Sequence, residues 1–296
     1  MEGVGDRSFR RAMAFIGGFD EAVRDFIRVP TNGHVKSLAK VYQANELFPI
    51  PLAAQIMGSD PLLMAEMAQE LMRAGAPRID INCGCPSNTV TGRGAGSSLL
   101  RDPESLHVIA KAVVSSVNIP VTLKMRSGFD DITLFEENLL AAESSGVRYI
   151  TLHPRTKADG YGPPARWDLI ARAKKLLKIP LIGNGDILTV EDALNILQQT
   201  NCDALMIGRG SIRNPFVFRQ IKAHFAKEEY TPKKEDLLQF LQVFLSEMQE
   251  TPMKTKVNKL KQLLGFILKE SPHRQKILSS SHQNPETLLH ESQEIL

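Results

Sequence analysis

The segment "RIDINCGCPSNTVTGRGAGSSLL", Arg78 to Leu100, holds two of the chain's three cysteines one residue apart, with Pro86 directly after the second and a glycine-rich run behind it. A zinc site needs further Cys or His at C-x2–4-C spacing, and C-x-C with only Cys202 elsewhere matches that poorly. A dithiol redox pair normally has the C-x-x-C form. Packing suits Cys83, which follows an apolar run directly. Cys85 stands between Gly84 and Pro86, further along the turn. A thiol of ordinary acidity, with a pKa of roughly 8.5, is mostly protonated at pH 7, so it can donate a proton as well as attack as a thiolate. The glycines Gly92, Gly94 and Gly96 read as a mobile loop that closes over a substrate, less readily as a phosphate cradle.

The elements that would position these residues alternate along the chain. Short apolar runs at 22–29, 50–57, 78–82, 119–125, 148–153, 179–184 and 203–208 read as strands buried on both faces of a parallel sheet. Between most of them lie helix-length segments, such as 61–75 behind a Ser59-Asp60 cap, 134–146 and 190–200. Seven such βα units predict a (β/α)8 TIM barrel, one strand short: its first strand is lacking or truncated, because the eighth would precede Met1.

In such a barrel chemistry sits at the C-terminal ends of the strands. Those ends carry Gln55; Asn82 with Cys83 and Cys85; Lys124 and Arg126; His153 with Arg155 and Lys157; Asn184, Gly185 and Asp186; and Gly208, Arg209 and Gly210. The last two sets, "GNGD" and "IGRG", stand where a barrel holds the phosphate of a cofactor, with glycines that let backbone N–H groups approach an anion. A Lys inside a barrel mouth is costly without an anionic partner. For Lys124 that partner is either a structural carboxylate or a reduced flavin, which is negative near N1. His153 is either a satisfied core histidine or a ligand-facing group.

After about Phe218 the strand pattern stops. The charged stretch 226–236, with Pro232, reads as a linker, and the helical spacing from Leu237 onward reads as a small all-α domain. The expected division is residues 1–226 as barrel and 234–296 as helical domain. Between Lys254 and Lys276 there are seven Lys or Arg against one acid, Glu270. This is either a solvated helix face or a surface for nucleic-acid phosphates.

With these residues in place, the chain resembles the tRNA-dihydrouridine synthases. The likeness is carried by "MEGV" (1–4), "AAQIMG" (53–58), "DINCGCPSNTVTGRGAGSSLL" (80–100), "LKMRSG" (123–128), "LHPRT" (152–156), "GNGD" (183–186) and "MIGRG" (206–210), with "LKQLLGFILKE" (260–270) more loosely similar to the family's C-terminal helices. "NCGCPSNTV" and "KQLLGFI" are most similar to the bacterial C-type subgroup. The resemblance implies an FMN barrel that uses NADPH to reduce the 5,6 double bond of a tRNA uridine, at D-loop position 16 by the subgroup likeness. It implies Cys85 as the acid that protonates carbon 5 and Asn82 as a hydrogen-bond partner of the uracil. It places Met1, Glu2, Gln55, Lys124, His153, Asn184, Gly185, Asp186, Gly208 and Arg209 on FMN. Arg28, Arg126, Arg155 and Tyr161 become candidates for gripping the uridine or nearby tRNA, and Lys256, Lys259 and Lys261 for its phosphates. One departure is that Met1 takes the place of the Met in a family "Pro-Met" strand end, so the chain is expected either to begin at an internal Met or to hold FMN less tightly.

Two alternatives stay in view: an FMN barrel acting on a free pyrimidine, like dihydroorotate dehydrogenase, and a non-catalytic RNA-binding descendant. The basic helical segment speaks against the first. Composition is ordinary for a globular protein of 296 residues, 43% hydrophobic and 23% charged, with a net charge of +3. No run approaches the roughly 18 apolar residues of a membrane helix, and the N-terminus lacks a signal core. Three cysteines fit a reducing compartment, so a cytoplasmic, metal-free monomer is expected.

Overall fold

The computed structural model of the chain describes residues 3–162 and 164–295. Two compact units emerge, one of Glu21–Asp186 and Glu191–Ile207, the other of Met1–Asp20, Ile187–Val190 and Gly208–Leu296.

The first unit is built on one curled parallel sheet. Its strands are β1 (Ala22–Val23), β2 (Ile27–Arg28), β3 (Leu52–Met57), β4 (Ile79–Cys83), β5 (Val121–Gly128), β6 (Ile150–Thr156), β7 (Leu181–Asn184) and β8 (Ala204–Met206). Both β1 and β2 pair with β3, so the two occupy one position, and the order then runs β3-β4-β5-β6-β7-β8. All pairings are parallel, as helical crossovers require. The fold is that of a (β/α)8 barrel with seven strand positions, the number expected from the sequence. Every expected strand is present within a few residues of its expected ends. Central β3, β4 and β6 are buried throughout, whereas β8 is not, and β1 and β8 do not pair with each other among the described residues.

The crossover helices begin where capping chemistry allows. Asp60 accepts from Leu63 N at 2.9 Å ahead of the helix Pro61–Arg73, whose Pro61 has no N–H to leave unsatisfied. Asp102 caps Pro103–Ser116 in the same way. The glycine-rich run folds into a short helix, Asn88–Thr91, and a 3-10 turn, Gly96–Arg101.

The second unit is helical: Arg7–Ile16, Arg209–Arg213, Val217–Ala226, Lys234–Ser246, Met253–Ile267, Arg274–Ser279 and Pro285–Ile295. Its core joins Phe9, Met13 and Ile16, Ile212 and Phe216, and Phe240, Leu260, Leu264 and Leu288. The rings of Phe9 and Phe240 meet edge-on with centroids 6.2 Å apart. Compactness thus groups the first twenty residues and the chain from Gly208 with the C-terminal helices, where the sequence reading puts residues 1–226 together. The cause is burial between segments far apart in sequence, such as Ser8 and Glu247, 239 residues apart and hydrogen-bonded at 3.5 Å.

No helix among the described residues is long and apolar enough to cross a membrane.

Candidate active site

Successive residues of a strand point to opposite faces of the sheet. On β4 and β5 one set is apolar: Ile79, Ile81, Cys83, Leu123 and Met125, all buried. The other set is polar: Asp80, Asn82, Thr122, Lys124 and Arg126. Hydrogen bonds between Asp80, Thr122, Gln55 and Asn82 show that this second set shares one face. The continuous apolar runs of the sequence therefore hide a polar stripe.

At the end of β4, Asn82 turns the chain. Its Oδ1 accepts from Gly84 N and Cys85 N, each at 2.9 Å, and its Nδ2 donates to Gln55 Oε1 at 2.9 Å. This Asx turn holds the backbone on one side of Cys85. On the other side Cys85 O accepts from Ser97 N at 3.1 Å and Ser97 Oγ at 2.9 Å. Gly96 makes that approach possible. Its φ is +62°, and a Cβ there would lie 2.9 Å from Val90 Cγ1 and 3.0 Å from Cys85 O. Gly96 thus packs against the Cys85 turn, whereas Gly92 and Gly94, of the expected mobile loop, are exposed. Val90 and Ala95 bury against Met57, with Cys85 beside them.

The three cysteines differ in environment. Cys83 and Cys202 are buried, and Cys85 is partly exposed. Burial, reinforced by the negative charge of Asp80, pushes the Cys83 thiol far up, so it stays protonated as packing.

Lys124 lies across from Asn82 in the β4–β5 register and across from Thr151 in the β5–β6 register. Among the described residues no hydrogen bond or ion pair reaches its ammonium. Desolvation lowers its pKa to about 8, with Asp80 opposing and Arg126 adding to the shift.

Arg126 is fully buried. Its Nε donates to Gly84 O at 3.0 Å and its Nη1 to Thr156 O at 2.7 Å and Gly160 O at 2.9 Å. It braces the cysteine turn against the Thr156–Gly160 loop, and its guanidinium lies 5.1 Å from the centroid of the exposed Tyr161 ring. Arg155 is also buried. Its Nη2 donates to Asp186 Oδ2 at 2.5 Å, and Nη1 lies 3.1 Å from His153 Nε2. A guanidinium only donates, so Nε2 of His153 accepts and the imidazole carries its proton on Nδ1. Asp186 also takes Ala165 N at 2.8 Å. Gly185 sits at φ +123°, where a Cβ would crowd His153 Cδ2 at 3.0 Å and Ala165 Cβ at 3.1 Å, and its carbonyl accepts from Trp167 Nε1 at 3.0 Å. Asn184 Nδ2 donates to Met206 O at 2.8 Å.

The structure thus brings together Gln55, Asn82, Cys85, Lys124 and Arg126 on β3 to β5, and His153, Arg155, Gly185 and Asp186 on β6 and β7. Arg28 is exposed at the end of β2, next to Phe26. Gly208 and Arg209 belong to the helical unit, where Gly208 precedes the short helix Arg209–Arg213. Met1 and Glu2 lie outside the described residues. The basic helix departs from the simple phosphate reading. Lys259 pairs with Asp6, Lys261 donates to Ser280 O, and Lys256 donates to Gln249 O at 3.2 Å. Lys254 and Lys269 are exposed and carry no ion pair among the described residues. The sequence reading missed Asp80, Arg78 and Ser97. The alternation Arg78, Asp80, Asn82 along a strand is the signal that marks the first two.

Comparison with known proteins decides the family. The family model described as dihydrouridine synthase (Dus) matches residues 1–284. This chain belongs to the dihydrouridine synthase family. Dihydrouridine synthases are flavin-dependent oxidoreductases. The chain is 36% identical over 282 residues to the tRNA-dihydrouridine(16) synthase of Pseudomonas putida, covering 92% of this chain and 87% of that one. It is 34% identical over 283 residues to the protein of the same name from Neisseria meningitidis serogroup B, covering 91% and 84%. It is 39% identical over 231 residues to the probable tRNA-dihydrouridine synthase 1 of Synechocystis, covering 77% and 64%.

The residues present fit the flavin of a dihydrouridine synthase. Lys124 is a desolvated cation that makes no ion pair among the described residues, Asp80 only partly offsetting its desolvation, and bound flavin carries negative charge when reduced. Gln55 retains one amide hydrogen beyond the one given to Asp80. Among the described residues no cluster of three His, Cys, Asp or Glu is arranged for a metal.

Proposed function

We propose that this chain reduces the 5,6 double bond of a uridine in tRNA to 5,6-dihydrouridine, with FMN as resident cofactor, NADPH as reductant and Cys85 as proton donor. The names of the Pseudomonas and Neisseria relatives support tRNA as substrate and position 16 as the target. One observation carries the choice of acid. Cys85 alone of the three cysteines has solvent access, and its backbone is pinned on both sides by Asn82 and Ser97.

A uracil stacked in folded RNA cannot reach a strand-end turn, so the base must leave its stack or come from a loop. Bound flavin, with NADPH as its reductant, would supply hydride chemistry at this site. Cys85 gives its Sγ proton to carbon 5, and the thiolate regains a proton from solvent. Hydride and proton together account for the two hydrogens added. Asn82 has one amide hydrogen left for a uracil carbonyl after the one spent on Gln55. Arg126 and Tyr161 would flank the base, and Arg28 would meet nearby tRNA.

Gln55 and Lys124 would hold the isoalloxazine edge, with Lys124 balancing negative charge. The Asn184–Asp186 turn would receive the cofactor's phosphate end. Met1, Glu2, Gly208 and Arg209 are assigned to FMN by their motifs alone. The division of labour we propose keeps chemistry in the strand unit and tRNA contact in the helices from 234 onward, acting as a monomer.

The test is Cys85→Ala in the full-length protein, assayed on tRNA that lacks dihydrouridine. Product formation should fall by about 10²–10⁴, the range of a lost general acid, while NADPH still bleaches the flavin absorbance. Wild-type activity on tRNA in that variant would remove Cys85 from the role.

A further inference from the structure

The buried carboxylate of Asp80 has no part in the function proposed above, yet it ends a hydrogen-bond chain that leads to Cys85. An amide side chain has a donor end and an acceptor end, and its partners decide which way it faces. Asn82 meets the N–H groups of Gly84 and Cys85, which can only donate, so its oxygen must face them. Its NH2 group is then left for Gln55 Oε1, at 2.9 Å. Gln55 in turn offers Nε2 to Asp80 Oδ2 at 2.7 Å. Asp80 is fully buried, and its other oxygen takes Thr122 Oγ1 at 2.6 Å and Arg78 Nη1 at 3.4 Å. Three donors converge on it, as on a carboxylate. The chain therefore has an acceptor at one end and two donors at the other, and both ends demand the same orientation of the two amides between them.

We propose that Asp80 is a positioning residue. Its carboxylate orients the Gln55–Asn82 pair so that Asn82 presents oxygen to the Gly84 and Cys85 amides and fixes the turn that carries the thiol. Arg78 holds this carboxylate from behind and is itself paired with Glu21 at 2.6 Å. The consequence for catalysis rests on the proton-donor reading of Cys85; the orientation of the turn does not.

Asp80→Asn keeps the shape and removes the polarity. If the new NH2 faces Gln55, the pair turns round and Asn82 sets NH2 against two N–H groups. If the new amide's oxygen faces Gln55, its NH2 meets the Arg78 guanidinium. A second variant restores the direction by moving the carboxylate one step along the chain. In Gln55→Glu/Asp80→Asn, the carboxylate now at position 55 accepts from Asn82 and from the NH2 at position 80. The amide oxygen at position 80 then receives Thr122 and Arg78.

The measurement is amide hydrogen exchange at Gly84 and Cys85 in the full-length protein, alongside thermal unfolding. Asp80→Asn should raise exchange at those two amides by about tenfold or more, the equivalent of a lost hydrogen bond. The double variant should return it to near wild type, which a role in packing alone would not do. Unchanged exchange in Asp80→Asn, or a double variant that exchanges as fast as the single one, overturns the proposal. If Asp80→Asn does not fold, the double variant decides by the same criterion, and its failure to fold overturns the proposal too. Failure of the proton-donor reading is seen separately: Cys85→Ala would keep tRNA activity whatever the exchange pattern.

Discussion

Lys124 offers a quantitative test, because it is desolvated and makes no ion pair among the described residues. Desolvation lowers its pKa from the ordinary 10.5 to about 8. At ~1.4 kcal/mol per unit, that shift is an upper value of ~3 kcal/mol against the folded state while the lysine is charged. The side chain keeps partial solvent contact, so ~2 kcal/mol is the figure to expect. The sign follows from proton binding. Between about pH 8 and 10.5 the unfolded chain holds a proton that the folded one has released, so stability rises with pH across that window. Below it, the penalty is present in full. Lys124→Met removes the penalty. In flavin-free protein the variant should be more stable than wild type by ~2 kcal/mol at pH 7, with the gap closing towards pH 10.5. Trp167 is the chain's single tryptophan and lies in the strand unit, so its fluorescence during urea unfolding follows that unit. Other groups titrate alike in both proteins and cancel in the difference. Parallel stability–pH curves, or a less stable variant at pH 7, would refute the reasoning. With flavin bound, the ammonium gains its partner and the order of stabilities should reverse.

Further outcomes follow from the supports of the site and from the basic helix. Gly96→Ala forces a Cβ onto Cys85 O and Val90 at a left-handed φ, so it should cost ~1–3 kcal/mol in urea unfolding; a neutral substitution would mean the turn is not packed as described. Charge reversal at Lys254 and Lys269 should weaken tRNA binding and flatten its salt dependence by about one unit of slope per lost phosphate contact, and an unchanged slope would take both off the tRNA surface. Lys259→Ala, by contrast, removes the pair with Asp6 and should appear in thermal unfolding, by up to ~1 kcal/mol.

How much of this the sequence revealed depended on range. The strands were legible because each is a short apolar run closed by Gly, Pro or a polar residue, and because a parallel sheet needs no partner information to be recognised. The helix Arg7–Ile16 carries a readable signal too, with Phe9, Ala12, Met13 and Ile16 spaced along one face behind Asp6, which caps it through Phe9 N at 3.0 Å. Its destination was not readable, since the residues it buries against begin more than two hundred positions later. The partners of the basic helix were unreadable for the same reason. Counting charges treats every lysine as available, whereas Lys259 and Lys261 meet an Asp and a backbone carbonyl brought to them by other segments.

The stretch around Cys85 shows a subtler limit. Its motif marked Asn82 and Cys85, and the neighbouring strands marked Gln55 and Lys124, but each was read as a group aimed at a ligand. The structure commits most of their hydrogen-bonding capacity to one another. Burying a polar group costs free energy unless it is paired, so a stripe of polar residues inside a sheet must satisfy itself before it can serve a substrate. The Gln55, Asp80 and Asn82 side chains do so, and in doing so fix which atoms remain to be offered: one hydrogen each on Gln55 and Asn82. Lys124 stands apart because no hydrogen bond or ion pair among the described residues reaches it, and the charge of Asp80 only partly offsets its desolvation. An unpartnered cation among satisfied neighbours is the feature that most directly points to a bound anion, and it is invisible in a run of motifs because it consists of a contact that is not made.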